Sequence, residues 1–116
     1  MWRDDAYLLD MLLGAREVQE LAAGLTREQF EASRLHQLAL MHLLTLIGEA
    51  AGRVSPEVRA RYPEVPWRDM TGFRNRLVHE YFGIDLDKVW DAIEHSVPAL
   101  IDLLEPLVPP PSPGEA

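Results

Sequence analysis

A chain of 116 residues, 47% of them hydrophobic, suffices for one core and is too short for two, so the sequence describes a single domain. The net charge of −8 disfavours a general nucleic-acid binder, because phosphate affinity rests on lysine and arginine, and the absence of cysteine excludes disulfides and thiolate zinc sites. No segment reaches the roughly 18 uncharged apolar residues of a membrane span, and the start, Met1-Trp2-Arg3-Asp4-Asp5, lacks the order of a secretory leader. A cytoplasmic protein without membrane contact is expected.

In chain order, Asp4 or Asp5 is the predicted cap of a first helix with Leu8, Met11, Leu12, Ala15, Val18 and Ala22 at helical spacing, closed by Gly24 in a left-handed conformation. Thr26 and Gln29 have the spacing of a capping box and open a short turn or helix before Ser33. From Ser33 to about Arg53 the pattern predicts a second long helix. Its broad apolar surface of Leu35, Leu38, Ala39, Leu43, Leu46, Ile47 and Ala50 implies burial on more than one side. Ser55-Pro56 predicts a short helix to Arg61, stopped by Tyr62-Pro63. A central helix runs from Pro66 to Phe82-Gly83. Asp85 then caps a last one with Leu86, Val89, Trp90, Ile93, Val97, Leu100, Ile101 and Leu104 inside, which Pro98 should bend. The domain is therefore expected over residues 1–107, followed by a disordered proline-rich tail, 108–116. The fold class is all-α.

The central helix concentrates the polar chemistry. Between Arg59 and His79 stand five arginines, Arg59, Arg61, Arg68, Arg74 and Arg76, against two acids, Glu64 and Asp69. At about 100° per residue, Trp67, Met70, Leu77, Val78 and Tyr81 fall within about 60° of Arg74. A guanidinium in an apolar stripe needs a partner or a hydrated crevice, and Glu49, itself set among apolar residues, is the obvious partner for a structural ion pair. Arg53, four residues after Glu49, competes for that carboxylate. His79 falls about 140° from Arg74 and nearer to Asn75, at about 100°. Either the helix loosens near Gly83 and turns His79 inward, or two copies meet across a two-fold axis and line a shared groove. His36, His42 and His95 read as ordinary helix residues. The acidic run Asp85, Asp87, Asp91 and Glu94 reads as a solvated helix start, so no metal site is expected.

The run Arg74-Asn75-Arg76-Leu77-Val78-His79-Glu80-Tyr81 resembles the R-x4-H-x-Y signature of the HepT-like HEPN-domain toxins. Ile47-Gly48-Glu49-Ala50-Ala51, Pro66-Trp67-Arg68 and Tyr81-Phe82-Gly83-Ile84-Asp85 extend the resemblance, which spans about Asp4 to Leu104. It implies an up-and-down bundle of four to five helices that forms a homodimer. It also implies the toxin of a type VII toxin-antitoxin system, a metal-independent endoribonuclease needing no cofactor, with RNA as substrate and an MNT-type nucleotidyltransferase as antitoxin. Arg74 and His79 would be catalytic, Asn75 and Glu49 supporting, and Tyr81 the acceptor of AMP. An unperturbed imidazole titrates near pH 6.5 and suits proton transfer, and a planar guanidinium suits a crowded phosphorane. A non-catalytic helical partner or regulatory substrate of a nucleotidyltransferase is the rival expectation.

Overall fold

The computed structural model describes residues 2–108, with side chains from Arg3 onward. Helix α1, Trp2–Ala22, ends where Gly24 adopts φ 75°, the left-handed conformation expected there. Helix α2, Arg27–Ala32, carries the full capping box: Gln29 N donates to Thr26 Oγ1 at 3.1 Å and Thr26 N to Gln29 Oε1 at 2.9 Å. Helix α3, Arg34–Arg53, starts at Ser33, whose hydroxyl accepts from His36 N at 3.2 Å. Helix α4, Pro56–Arg61, has Ser55 as cap and proline in its first turn. Helix α5 spans Trp67–His79 and α6 Leu86–Asp91, capped by Asp85. A π-helical turn, Ala92–Ser96, leads into α7, Val97–Leu104, and a last 3-10 turn, Glu105–Leu107. Four long rods (α1, α3, α5 and the α6–α7 unit) and two short helices thus make up the described residues, with no strand among them.

Helix α3 is the axis of the bundle, with α1 and α5 both packed on it and α7 against α1. Its wide apolar surface is explained by those two neighbours. Leu40, Leu44, Ile47 and Ala51 are buried and lie within about 60° of one another around the helix. Leu35 and Leu46 were expected to join them and do not: they lie about 140° and 120° from Leu40, and are 76% and 43% exposed. On α1 the expected face, Leu8, Met11, Leu12, Ala15 and Val18, is buried, and Ala22 packs partly. Val89, Trp90, Ile93, Val97, Leu100, Ile101 and Leu104 are buried as predicted, while Leu86 is half-buried. Phe30 of α2 is fully buried with its ring 5.2 Å from that of Trp90, closing one end of the core.

Three details depart from the expectations. The disturbance predicted at Pro98 takes the form of the π turn just before it, in which Val97 N bonds to Ala92 O; the wider turn adjusts the ladder where proline has no N–H to give. Helix α5 stops at His79 and does not reach Phe82-Gly83, because Glu80 leaves helical geometry at φ −115°, ψ 30°. Asp4 does not cap α1. It is buried within the helix, where Oδ1 accepts from Ser55 N at 2.7 Å and Oδ2 from Ser55 Oγ at 2.9 Å, tying α1 to the start of α4. Of the predicted tail, Val108 packs partly on the core, and residues 109–116 lie outside the described residues.

The Ser55 backbone N–H is the main cause that holds the Asp4 carboxyl below its ordinary value, and the Ser55 hydroxyl adds to it against the opposing effect of burial. A depressed carboxyl contributes stability above its unfolded pKa of about 3.9, and that contribution disappears as pH falls through the folded value. Asp4→Asn should therefore melt at a lower temperature than the parent at pH 7, and the gap should narrow below pH about 4. Melting curves at both pH values check this; a gap unchanged at low pH would mean that Asp4 acts by packing alone.

Candidate active site

The site grows out of the crossing of α3 and α5. A methyl group at Gly48 would stand 2.4 Å from Arg74 Cβ and 3.0 Å from the Met70 carbonyl oxygen, so only glycine allows the two backbones this close. That approach sets the root of Arg74 against α3 beside Glu49. Nη2 donates to Glu49 Oε1 at 3.2 Å and Nη1 to Asn75 Oδ1 at 3.1 Å, while Nε is buried without a hydrogen-bond partner. A guanidinium has five N–H bonds, so each terminal nitrogen retains one for a ligand. The Arg74 and Glu49 side chains are 32% and 37% exposed. A pair so open to water contributes at most about 1 kcal/mol, so its main effect is to orient the guanidinium. Glu49 thus pairs with Arg74, and Arg53, the sequence rival, makes no ion pair or hydrogen bond among the described residues.

A hollow of about 220 Å³ opens beside the pair, lined by Gly48, Glu49, Gly52, Arg53, Thr71, Arg74 and Asn75. His79 is not part of that lining. It is the last residue of α5 and exposed, so the inward turn is not the route this fold takes. One chain gathers Arg74, Asn75 and Glu49 and leaves His79 on the surface. Tyr81 lies beyond the helix end, so its expected place within about 60° of Arg74 on the helix does not apply. Its ring instead has the Arg34 guanidinium at 5.5 Å and meets Phe82 edge-on at 4.9 Å; Tyr81 is 39% and Phe82 91% exposed.

The family model described as Ribonuclease HepT-like matches residues 11–107. This chain belongs to the HepT-like ribonuclease family. It is 35% identical over 95 residues to a Methanocaldococcus jannaschii protein provisionally named RNase MJ1380, an alignment covering 82% of this chain and 87% of that one. It is 31% identical over 101 residues to a Thermococcus cleftensis protein provisionally named ribonuclease HepT, covering 87% and 92%. With a Caldanaerobacter subterraneus protein provisionally named RNase TTE0752 it shares 32% over 94 residues, covering 81% and 84%. No solved structure matches the chain.

Within this HepT-like domain the polar hollow can take a small anion, since Arg74 offers two N–H bonds and Arg53 a full charge. Two contributors went unrecognised in the sequence. Gly48 lay in the quoted run Ile47-Gly48-Glu49, where a glycine in mid-helix signals close approach. Arg34 gave no signal, because only the folded chain brings it over Tyr81. A second hollow of about 420 Å³, mostly apolar and lined by residues including Leu44, Met70, Phe73, Val97 and Leu100, contains none of the signature residues. His36 bonds to Ser33 Oγ at 2.7 Å and His95 to Asp91 at 3.1 Å, ordinary helix contacts as expected.

Proposed function

We propose that this protein is the toxin of a toxin-antitoxin pair, a metal-independent endoribonuclease whose active groove is completed by a second copy of the chain. The observation that carries the reading is the oriented Arg74 guanidinium, fixed by Glu49 and Asn75 with one free N–H on each terminal nitrogen, five positions before an exposed His79 in an R-x4-H-x-Y run. In the reaction, a base removes the 2′-hydroxyl proton and the oxygen attacks the adjacent phosphorus. The bond from phosphorus to the 5′-oxygen breaks, and that oxygen takes a proton. The products are a 2′,3′-cyclic phosphate and a 5′-hydroxyl. His79 exchanges the protons and Arg74 stabilises the phosphorane. Because His79 falls about 140° from Arg74 around α5 and is absent from the lining of the hollow, the partner's copy supplies the imidazole to each guanidinium. The test is cleavage of RNA in EDTA with those end groups. Lack of cleavage by the unmodified protein would leave the rival reading, a non-catalytic partner of a nucleotidyltransferase.

Mixed dimers test the shared groove. One Arg74→Ala subunit paired with one His79→Ala subunit should regain close to half of the parent activity, because one of two composite sites is then intact. An active monomer at assay concentration, measured by sedimentation, would remove the shared groove.

Control is proposed to act at Tyr81. An MNT-type nucleotidyltransferase would direct the Tyr81 phenol oxygen onto the α-phosphorus of ATP, releasing pyrophosphate and the phenolic proton and leaving AMP on the ring. The half-exposed ring beside Arg34 is open to that attack, and the added nucleotide brings bulk and negative charge to the end of α5 next to His79. Tyr81→Phe should keep ribonuclease activity and escape silencing when co-expressed with the nucleotidyltransferase. An intact mass showing the same adduct on Tyr81→Phe would place the modification elsewhere.

A further inference from the structure

We propose that Arg53 anchors a second phosphodiester of single-stranded RNA, next to the one held by Arg74. The inference rests on the ribonuclease reading and adds a binding subsite to it. Arg53 stands in the last turn of α3, exposed, with no hydrogen bond or ion pair among the described residues, yet it lines the same hollow as Arg74 and Asn75. The charge of that hollow is not balanced from within. Its lining holds two arginines and one carboxylate, and that carboxylate, Glu49, is engaged by Arg74, so none within the hollow is left to pair with Arg53. The space at Gly48 is taken by the root of Arg74, so the hollow is walled there by the crossing of α3 and α5, and Gly52 contributes backbone only. Thr71 is wall and not donor, since its hydroxyl hydrogen goes to the Trp67 carbonyl at 3.1 Å.

The surroundings also give the strand a direction. On its other side Arg53 borders a wider hollow against α1, where Asp10, Glu17, Glu20 and Glu49 outnumber Arg16 and Arg53. A polyanion is repelled there. A phosphate chain engaging Arg53 therefore continues over Arg74 and the exposed end of α5, and not across α1.

A phosphate contact has a signature that a structural arginine lacks. Each one releases counterions, and the slope of log affinity against log salt changes by about 0.7 per single-strand contact. The experiment uses His79→Ala protein, which keeps RNA uncut, and a fluorescein-labelled single-stranded RNA titrated in about 50 to 200 mM KCl. Adding Arg53→Gln should weaken binding and flatten the slope by about 0.7, whereas Arg53→Lys, which keeps the charge, should retain the parent slope. An Arg53→Gln protein with parent affinity and slope would overturn the subsite and leave the ribonuclease reading standing. Weaker binding at an unchanged slope, with a shift of the sedimenting mass toward monomer, would make Arg53 a subunit contact and also overturn it. If the His79→Ala parent binds no RNA at any salt concentration, the subsite and the ribonuclease reading fall together.

Discussion

Arg74→Ala is expected to lower RNA cleavage by about 10²- to 10³-fold and His79→Ala by about 10²- to 10⁴-fold, with helical content and dimerisation retained in both. The first range is that of a preorganised donor to developing phosphoryl charge, the second that of a general acid or base. Stability should change little because the Arg74 to Glu49 pair is about one-third exposed and worth at most about 1 kcal/mol, and because His79 is exposed at a helix end. Alanine also suits a helix at both positions. Arg74→Lys should recover little activity: a single ammonium cannot bond to Glu49 and Asn75 and still present two parallel donors to a phosphate. Initial rates on a defined RNA, with circular dichroism of each variant, decide the matter. If Arg74→Ala unfolds the protein, the arginine is a structural partner of Glu49 and its catalytic assignment is lost.

Gly48→Ala should damage both fold and activity. Two terms oppose each other: alanine in a helix interior gains about 1 kcal/mol over glycine, and overpacking a tight contact typically costs about 1 to 3 kcal/mol. The contact here lies at the upper end. The new carbon would meet Arg74 Cβ at 2.4 Å and the Met70 carbonyl oxygen at 3.0 Å, neither of which is the tip of a flexible chain. Relief requires α5 to move off α3, carrying Arg74 away from Glu49. The net loss should be about 1 to 2 kcal/mol, or roughly 4 to 9 °C in melting temperature for a domain of this size, with RNA cleavage reduced in the fraction that remains folded. Gly52→Ala is the control one helical turn on. Its added carbon would lie 3.6 Å from Thr71 Cγ2, an ordinary contact, so this variant should melt no lower than the parent. Equal melting temperatures for the parent and Gly48→Ala would show that the crossing yields and that Gly48 does not set the site.

Local chemistry was legible wherever a few neighbouring residues decide the outcome. The Thr26 and Gln29 box, the Ser55 and Asp85 caps and the left-handed Gly24 all depend on residues within three positions of the backbone they serve. The apolar periods of α1 and the last helix were equally clear, because their spacing alone selects one face. The Arg74 to Glu49 pairing could be nominated from two ionic residues stranded in apolar runs, while its rival, Arg53, had the same claim by spacing.

What only the tertiary structure decided depends on which helix meets which. Asp4 looked like a cap until packing buried it against Ser55, and Leu35 looked like core until α1 and α5 covered a different sector of α3. The end of α5 was placed late because an apolar Tyr81-Phe82 pair continues the helical pattern, although no neighbour buries it: Phe82 is 91% exposed. Ending at His79 puts that imidazole on the surface and moves Tyr81 from the helix to Arg34. The sequence by itself determined an all-helical bundle and nominated the residues of the candidate site, since helical period, short-range capping and a short signature run are local. The close crossing at Gly48, the choice of Arg74 over Arg53 by Glu49, and the separation of His79 from that pair came from contacts between distant segments, whose geometry no local pattern encodes.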